Sequence, residues 1–555
     1  MGTTTTGVDT PDDDTTDGLG GTTEVGGVTS ETEGADTTEG DEETEGEDDT
    51  TEGDDTSGGT TDACGEMDEP DINGLDENDD GIDGVAGCSV FVNALTGSDL
   101  NDGTSLDEPV ASITRGIEIA ATFSPPRPVL VAEGTYTETV NLDSGVSVYG
   151  GYDDQSWDRE IFLNETIIEA TEFRGLVAIN LTEAVEVDGM TIRGSDFTDG
   201  GESTYAVWVR DTPEGLLTLD YCTVEAGNAG AGDDGGDGVA GEDGGGGGNG
   251  MSSGAPGAGG ASGCGATGGV GGQGSACPST SGGNGSAGGS PTTIGTGGAP
   301  GNSHCGDACG DEGTNGVGGI AGSVGVNGQG GMTSGDADGE FGGDGLWVPP
   351  AGSDPTPGDN GSGGGGGGAG GYDDDTDFGC VITFSDGFGL GGGGGGGGAG
   401  GCGGEAGGSG TPGGGSFCIT AINSSIEVSN TDLFLGTGGN GGNGGDGGDG
   451  GIPGGIGNGA TGTDNGGEPG NGNNGGPGGG GGGGGGGQGG CAGSAIGIAT
   501  VGGATVGIAN VSFNGGSAGS PGVGGIGGIR ADGVGLNAPS GDDGCDGVVA
   551  DERDY

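Results

Sequence analysis

AVEVDGMTIRG (184–194) has three near copies in the chain: LLTLDYCTVEAG (216–227), SIEVSNTDLFLG (425–436) and GATVGIANVSFNG (503–515). Superposed, they place Val187, Leu219, Val428 and Val506 in one apolar column and Ile192, Val224, Leu433 and Val511 in a second, five residues on. Met190, Cys222, Thr431 and Ala509 form a column of mostly compact side chains between them. Apolar pairs such as Val146/Val148 and Val185/Val187 alternate with outward residues, the period of a half-buried strand. One such segment cannot cover its own apolar face, so copies in register imply stacked rungs. The centres Leu130, Val148, Ile168 and Val187 recur about every 18–20 residues, close to one coil of a β-solenoid.

Glycine-rich segments leave three of these rungs at the same point, beginning near Ala226, Gly436 and Asn514. If the rungs stack, the roots of the three segments stack as well. The run GGNGGNGGDGGDGG (438–451) repeats two glycines and one polar residue. It lacks the aliphatic residue that a calcium-binding β-roll needs, and its partner positions are glycine rather than the proline of collagen. Two readings remain. One is a flexible spacer. The other is a set of packed helices of the polyproline II type, whose three residues per turn put every third side chain on one edge. Glycine-rich antifreeze proteins resemble the second.

The chain has 555 residues, of which 164 are glycine and only 28% hydrophobic, so a conventional core is confined to part of it. Eighty-eight Asp and Glu face eight Arg and no Lys, a formal net charge of −80. Such a chain repels phosphates and anionic headgroups, which excludes nucleic acid as a partner. Cations, above all calcium, and uncharged polysaccharide or other cell-surface material are the partners the charge suits. The twelve cysteines are scattered, and the only histidine, His304, beside Cys305 and Cys309, leaves a zinc half-site without a second half. Disulfides in an oxidising compartment follow. No stretch approaches a membrane span. The start, MGTTTTGVDTPDDD, has no basic, apolar leader. Export would therefore need an N-terminus upstream of it, for example one with a lipid-anchor signal.

Residues 1–63, rich in Thr, Asp, Glu and Gly, read as a disordered acidic stalk. In 64–88 the run Asp76-x-Asn78-x-Asp80-Gly81 has the alternating oxygens and glycine turn of a calcium loop, with Asp83 as a further ligand. It departs from an EF-hand, because Gly87 stands where the twelfth-position Glu would be. Residues 89–225 read as a cap and first rungs, 226–416 as a glycine-rich insert and 417–436 as a rung. A second insert (437–493), a rung (494–514) and a glycine-rich tail (515–555) complete the chain. Within the cap, Pro109 suits a first helical turn, and Ile113, Ile117, Ala120 and Ala121 make one apolar face.

Several motifs here carry a family likeness. They are Gly97-Ser98-Asp99 with Asn101 and Gly103-Thr104, then Pro109, then Gly134-Thr135-Tyr136-Thr137-Glu138, and Gly150-Gly151-Tyr152 with Trp157 and Arg159. Together they resemble the start of bacterial right-handed parallel β-helix proteins of the pectin-lyase-like class, in the DUF1565-type subgroup. The preceding DINGLDENDDGIDG is similar to an Asp-rich metal-binding motif that precedes this domain in secreted bacterial surface proteins. That motif often has a cysteine where this chain has Asp79. The resemblance implies an all-β, right-handed parallel β-helix with an N-terminal capping helix, at the cell surface or outside the cell.

β-Helix enzymes that cleave acidic polysaccharides place carboxylates and a basic residue on one parallel sheet. Asp188 and Asp220 fall in one column, with Arg193 and Arg210 near in sequence, but Ser429 and Gly507 continue the column. A serine-hydrolase elbow and a phosphate loop are both lacking. The sequence therefore favours a non-catalytic structural or adhesive protein. A calcium-dependent polysaccharide lyase or glycoside hydrolase is the alternative, and ice or surface binding through glycine helices is a third reading.

Overall fold

The computed structural model describes residues 68–555 except 276, 287, 289–292, 306–311, 334–337, 375–387, 465–467 and 534. The acidic stalk, Cys64, Cys309 and Cys380 lie outside the described residues.

Three parallel sheets carry the apolar sequence. The first runs through Val90–Val92, Val129–Ala132, Val148–Tyr152, Val185–Asp188, Leu217–Asp220, Ser425–Ser429 and Thr505–Ala509. The second runs through Gly134–Thr137, Thr166–Glu169, Met190–Arg193, Thr223–Glu225, Asp432–Thr437 and Ser512–Ser517. The third contains Val140–Asn141, Arg174–Ile179, Thr204–Arg210, Ser416–Ile422, Ala495–Val501 and Val549–Asp554. After the opening strands the chain visits first, second and third sheet in that order on every circuit.

Each sheet contributes one buried column to a shared core. These are Val148, Val187, Leu219 and Val428 from the first, Ile168, Ile192, Val224 and Leu433 from the second, and Leu176, Val207, Ile419 and Ile498 from the third. Each rung buries its apolar edge only against the rungs above and below it and the two other sheets.

Two expectations are corrected here. Ile168 belongs to the second sheet and Val129, not Leu130, aligns with Val148, so the short spacing mixed two sheets. In the last rung Val428 pairs with Ile508 and Leu433 with Phe513, two residues beyond the superposition. The corner residue fixes the true register. Gly189, Tyr221, Asn430 and Asn510 all take positive φ at the turn between first and second sheet. That left-handed conformation suits glycine and asparagine and strains tyrosine. The corner amides also bond along the stack, Asn510 Nδ2 to Asn430 Oδ1 at 3.0 Å and Asn430 Nδ2 to Asp220 Oδ1 at 2.9 Å.

The capping helix is Ile113–Ala120, with Ile113, Ile117 and Ala120 buried. It begins four residues beyond Pro109, because Val110 is first used in a bridge to Val92. Ser112 is the N-cap, and Glu138 accepts from the first free amides, Ile113 N at 2.8 Å and Thr114 N at 3.0 Å.

The three glycine-rich segments leave adjacent strands of the second sheet, where Glu225 pairs with Phe434 and Leu435 with Gly515. Their described residues are ordered, and the hydrogen bonds among these repeat every third residue. In 438–451, Gly438, Gly441, Gly444, Gly447 and Gly450 donate to the carbonyls of Ser517, Ser520, Val523, Ile526 and Ile529. Gly439, Gly442, Gly445, Gly448 and Gly451 donate to those of Gly414, Thr411, Gly408, Glu405 and Cys402. The period is that of a three-residue turn. In the central run, 391–414, Gly396, Gly397 and Gly398 donate to three different runs, at Gly248, Gly269 and Gly476.

Both glycines of each triplet are required by contact. A Cβ on Gly439 would overlap the Gly230 carbonyl, and one on Gly441 the Gly490 carbonyl. The third residue points outward. There, Asp234, Asp237 and Asp243 accept from the amides of Asn443, Asp446 and Ile452 at 2.6–2.9 Å. Asn443, Asp446 and Asp449 in turn accept from Val523, Ile526 and Ile529 at 2.7–3.0 Å. Every glycine amide of the run thus finds a partner without a side-chain core.

Disulfides Cys264–Cys402, Cys277–Cys305 and Cys491–Cys545 tie the glycine-rich runs, and Cys88 is also disulfide-bonded. Cys305 is therefore not a metal ligand. Cys222 and Cys418, by contrast, are free thiols facing the core, and burial pushes each up to about 12. The first insert also returns a hairpin, Glu340–Phe341 with Trp347–Val348, which lays Trp347 on Tyr205, Trp208 and Phe417 outside the third sheet. Among the described residues no helix is long and apolar enough to cross a membrane.

Candidate functional site

Strand alternation turns Val185 and Val187 into the core and leaves Glu186 and Asp188 on the outer face of the first sheet. Leu219 is likewise inward and Asp220 outward. Asp188 and Asp220 are register partners, and with Glu186 they bring one carboxylate oxygen each within 4.8 Å of one another. This is the carboxylate constellation of the sequence, and the fold does assemble it.

Its environment differs from that of an acid–base pair. Asp188 is buried, and its carboxylate is held by the Arg159 guanidinium. Burial pushes this carboxyl up to about 6, against the pull of Arg159. Asp220 Oδ1 accepts from Tyr221 N at 3.1 Å, Ser429 Oγ at 2.8 Å and Asn430 Nδ2 at 2.9 Å. The column continues as Ser429 and Ala509 rather than Gly507. Arg193 lies on the second sheet against Glu225 and Glu165, and Arg210 on the third against Asp211 and the carbonyls of Gly343 and Asp344. Neither arginine reaches Asp188.

Arg159 is the cation that sequence reasoning passed over. It lies in the turn after Gly150-Gly151-Tyr152 and is 3% exposed. Its Nε donates to Gly150 O at 2.9 Å, and one Nη to Asp71 O at 2.7 Å, with Asp83 at 3.6 Å. It therefore fastens the Asp-rich segment to the sheet. Ile82 packs there with Phe91, Leu130, Tyr152 and Trp157, and Tyr152 Oη donates to Asp83 O at 2.7 Å.

The expected calcium ligands divide into two places. Asp76, Asn78 and Asp80 form a self-capped loop. Asp76 accepts from Asp80 and Gly81, Asn78 from Asp80, and Asp80 from Ile82 and Ala86. Asp83 instead turns inward, 2% exposed, and burial pushes it up to about 7. It meets Asp68 and Glu77, with one oxygen of each within 4.8 Å of the others. Asp68 is 4% exposed and neither of its oxygens accepts a well-formed hydrogen bond. Its pKa is raised to about 6 by burial and by Glu77. A third group, Glu133, Asp153 and Asp154, is partly exposed, and Asp153 caps the amides of Gln155 and Ser156.

Comparison with protein-family models, with curated proteins and with solved structures returns no match for this chain.

Proposed function

We propose that this is a non-catalytic structural or adhesive protein of the cell exterior. In this reading it is a right-handed parallel β-helix of the pectin-lyase-like, DUF1565-type class that carries a plate of glycine helices. The observation behind the non-catalytic reading is the occupancy of Asp188 and Asp220. One is buried in an ion pair and the other accepts three hydrogen bonds from its own stack. A general acid or base needs a carboxyl that faces a substrate proton. Three disulfides among the glycine runs support an oxidising, extracellular setting.

Adhesion would use the outward side chains of the plate, which recur at every third residue on neighbouring runs and suit a flat, regular surface such as packed polysaccharide. Co-sedimentation with insoluble polysaccharides, alongside a uronate-degradation assay with calcium, tests this. Binding without product supports it. Product release that is lost in Asp188→Ala would establish the lyase or hydrolase instead, and thermal hysteresis of freezing would point the same array to ice.

A further inference from the structure

We propose that Asp68, Glu77 and Asp83 hold one hard divalent cation of the calcium class, which staples the Asp-rich segment to the outer face of the first sheet. Nothing in the calcium-loop pattern singles out Asp68. It is the structure that buries this carboxylate, leaves both its oxygens without a well-formed hydrogen bond, and points it at two other carboxylates. A buried anion in that position requires a positive partner. Arg159 cannot serve. Its guanidinium is engaged by Asp188, Gly150 O and Asp71 O and pairs with Asp83 at 3.6 Å, and none of its ion pairs is with Asp68.

Charge makes the same demand. Asp83 and Asp188 already share Arg159, and Asp68 and Glu77 add two carboxylates beside Asp83, so the group lacks positive charge. The donor set is all oxygen, with neither His nor Cys, which selects calcium, magnesium or manganese over zinc or copper. Glu77 is exposed while Asp68 and Asp83 are buried, so the site opens to water on the Glu77 side. Irregular carboxylates with room for water suit calcium better than magnesium, which demands a near-ideal octahedron.

Placement gives the ion its role. Asp68 comes from the start of the segment and Asp83 from its end, so one ion closes the loop between them. The Asp76, Asn78 and Asp80 oxygens serve amides within that loop and shape it. The proposal does not depend on the adhesive reading, and its test reads stability and metal binding only.

The test titrates calcium into EDTA-stripped full-length protein at physiological salt, which suppresses diffuse binding to a strongly acidic chain. Calorimetry is run beside thermal melts and terbium luminescence sensitised by the nearby Tyr152 and Trp157. One site stronger than the background, with a melting temperature several degrees higher in calcium, is expected. Asp68→Asn should weaken that site about tenfold or more. The same variant should melt no lower than the parent in EDTA, because it removes the repulsion of Asp68 by Glu77 and Asp76. Asp76→Asn with Asp80→Asn should keep the site. A calcium shift unchanged in Asp68→Asn, or one lost only in the Asp76/Asp80 variant, overturns the proposal, as does the absence of any site above background. Asp83→Asn is a second probe. Should it fail to fold, Asp68→Asn still decides.

Discussion

The rungs and the glycine runs of one chain solve the same problem by opposite means. In the rungs, side chains such as Leu219, Ile192 and Val207 fill the space between three sheets, and backbone bonds join only neighbouring strands. In the glycine runs there is almost no side-chain core. Backbones approach until carbonyls occupy the space where a Cβ would be, and each run bonds to neighbours on several sides. The first strategy tolerates many aliphatic residues at a given column. The second tolerates few, because at most of its glycines a Cβ would meet a main-chain atom that cannot rotate away. Low hydrophobic content therefore does not preclude order when glycine removes the obstacle between backbones.

The largest effect should come from breaking that close approach. Gly401→Val, whose Cβ would overlap the Gly451 carbonyl, should cost on the order of 5 kcal/mol and expose amides across the adjoining runs. Gly455→Ala is its control, since nothing lies within 4 Å of a Cβ there. Hydrogen exchange should separate the two; equal protection in both would remove the contrast between the regions.

Next comes the core of the rungs. Leu219→Ala, at a fully buried position, should destabilise by about 2–5 kcal/mol, seen as an earlier denaturant midpoint. Protection in the glycine runs should fall with it, because they are rooted on these strands. A selective loss in one region would show that the two fold independently.

Removing the Cys264–Cys402 bridge by Cys264→Ser with Cys402→Ser should cost about 2–4 kcal/mol. The loss should concentrate in the glycine runs, since no described disulfide joins two rung strands to each other. Limited proteolysis that cut the rungs first would contradict this.

The smallest effect concerns the charged outer face of the first sheet, for which the exposed Asp of the glycine plate has no counterpart. Burial pushes the Asp188 carboxyl up to about 6 from its ordinary 3.8, so between these values the folded form keeps a proton that the unfolded chain loses. Stability from this group is complete below about pH 4, falls as pH rises to about 6, and is flat beyond. Asp188→Asn should flatten that part of the slope by at most about 3 kcal/mol, in urea melts at acidic and neutral pH in EDTA. Parallel slopes in parent and variant would mean that Arg159 keeps Asp188 ionised throughout.

The rungs were legible because inward columns leave an alternating trace, and the triplet glycine pattern was legible as a period. The last register was not, because Val506 and Ile508 are both aliphatic and two apart, so a shift of two preserves the alternation. The corner asparagines Asn430 and Asn510 carried the missing information. The Asp188–Asp220 pair was visible as a column, but Arg159, which covers Asp188, acts from a turn whose position depends on tertiary packing. Asp68 was hidden for a different reason. In a strongly acidic segment, one more aspartate carries no signal until the fold buries it.

The outward Asp and Asn of the glycine plate add one consequence. Over three successive rows their oxygens cap amides in one sense, from 234–243 to 443–452 and from 443–449 to 523–529, whereas Asp543 caps Gly524 in the other. These three rows thus have a polarity, like hooks facing one way. On the third row Val523, Ile526 and Ile529 take a hook and offer none, and the run beside them, 538–544, is joined instead through its own amides to Gly528, Gly525 and Gly522 and through Asp543 to Gly524. The side-chain hooks thus run out at this row, and backbone bonds carry the contact on.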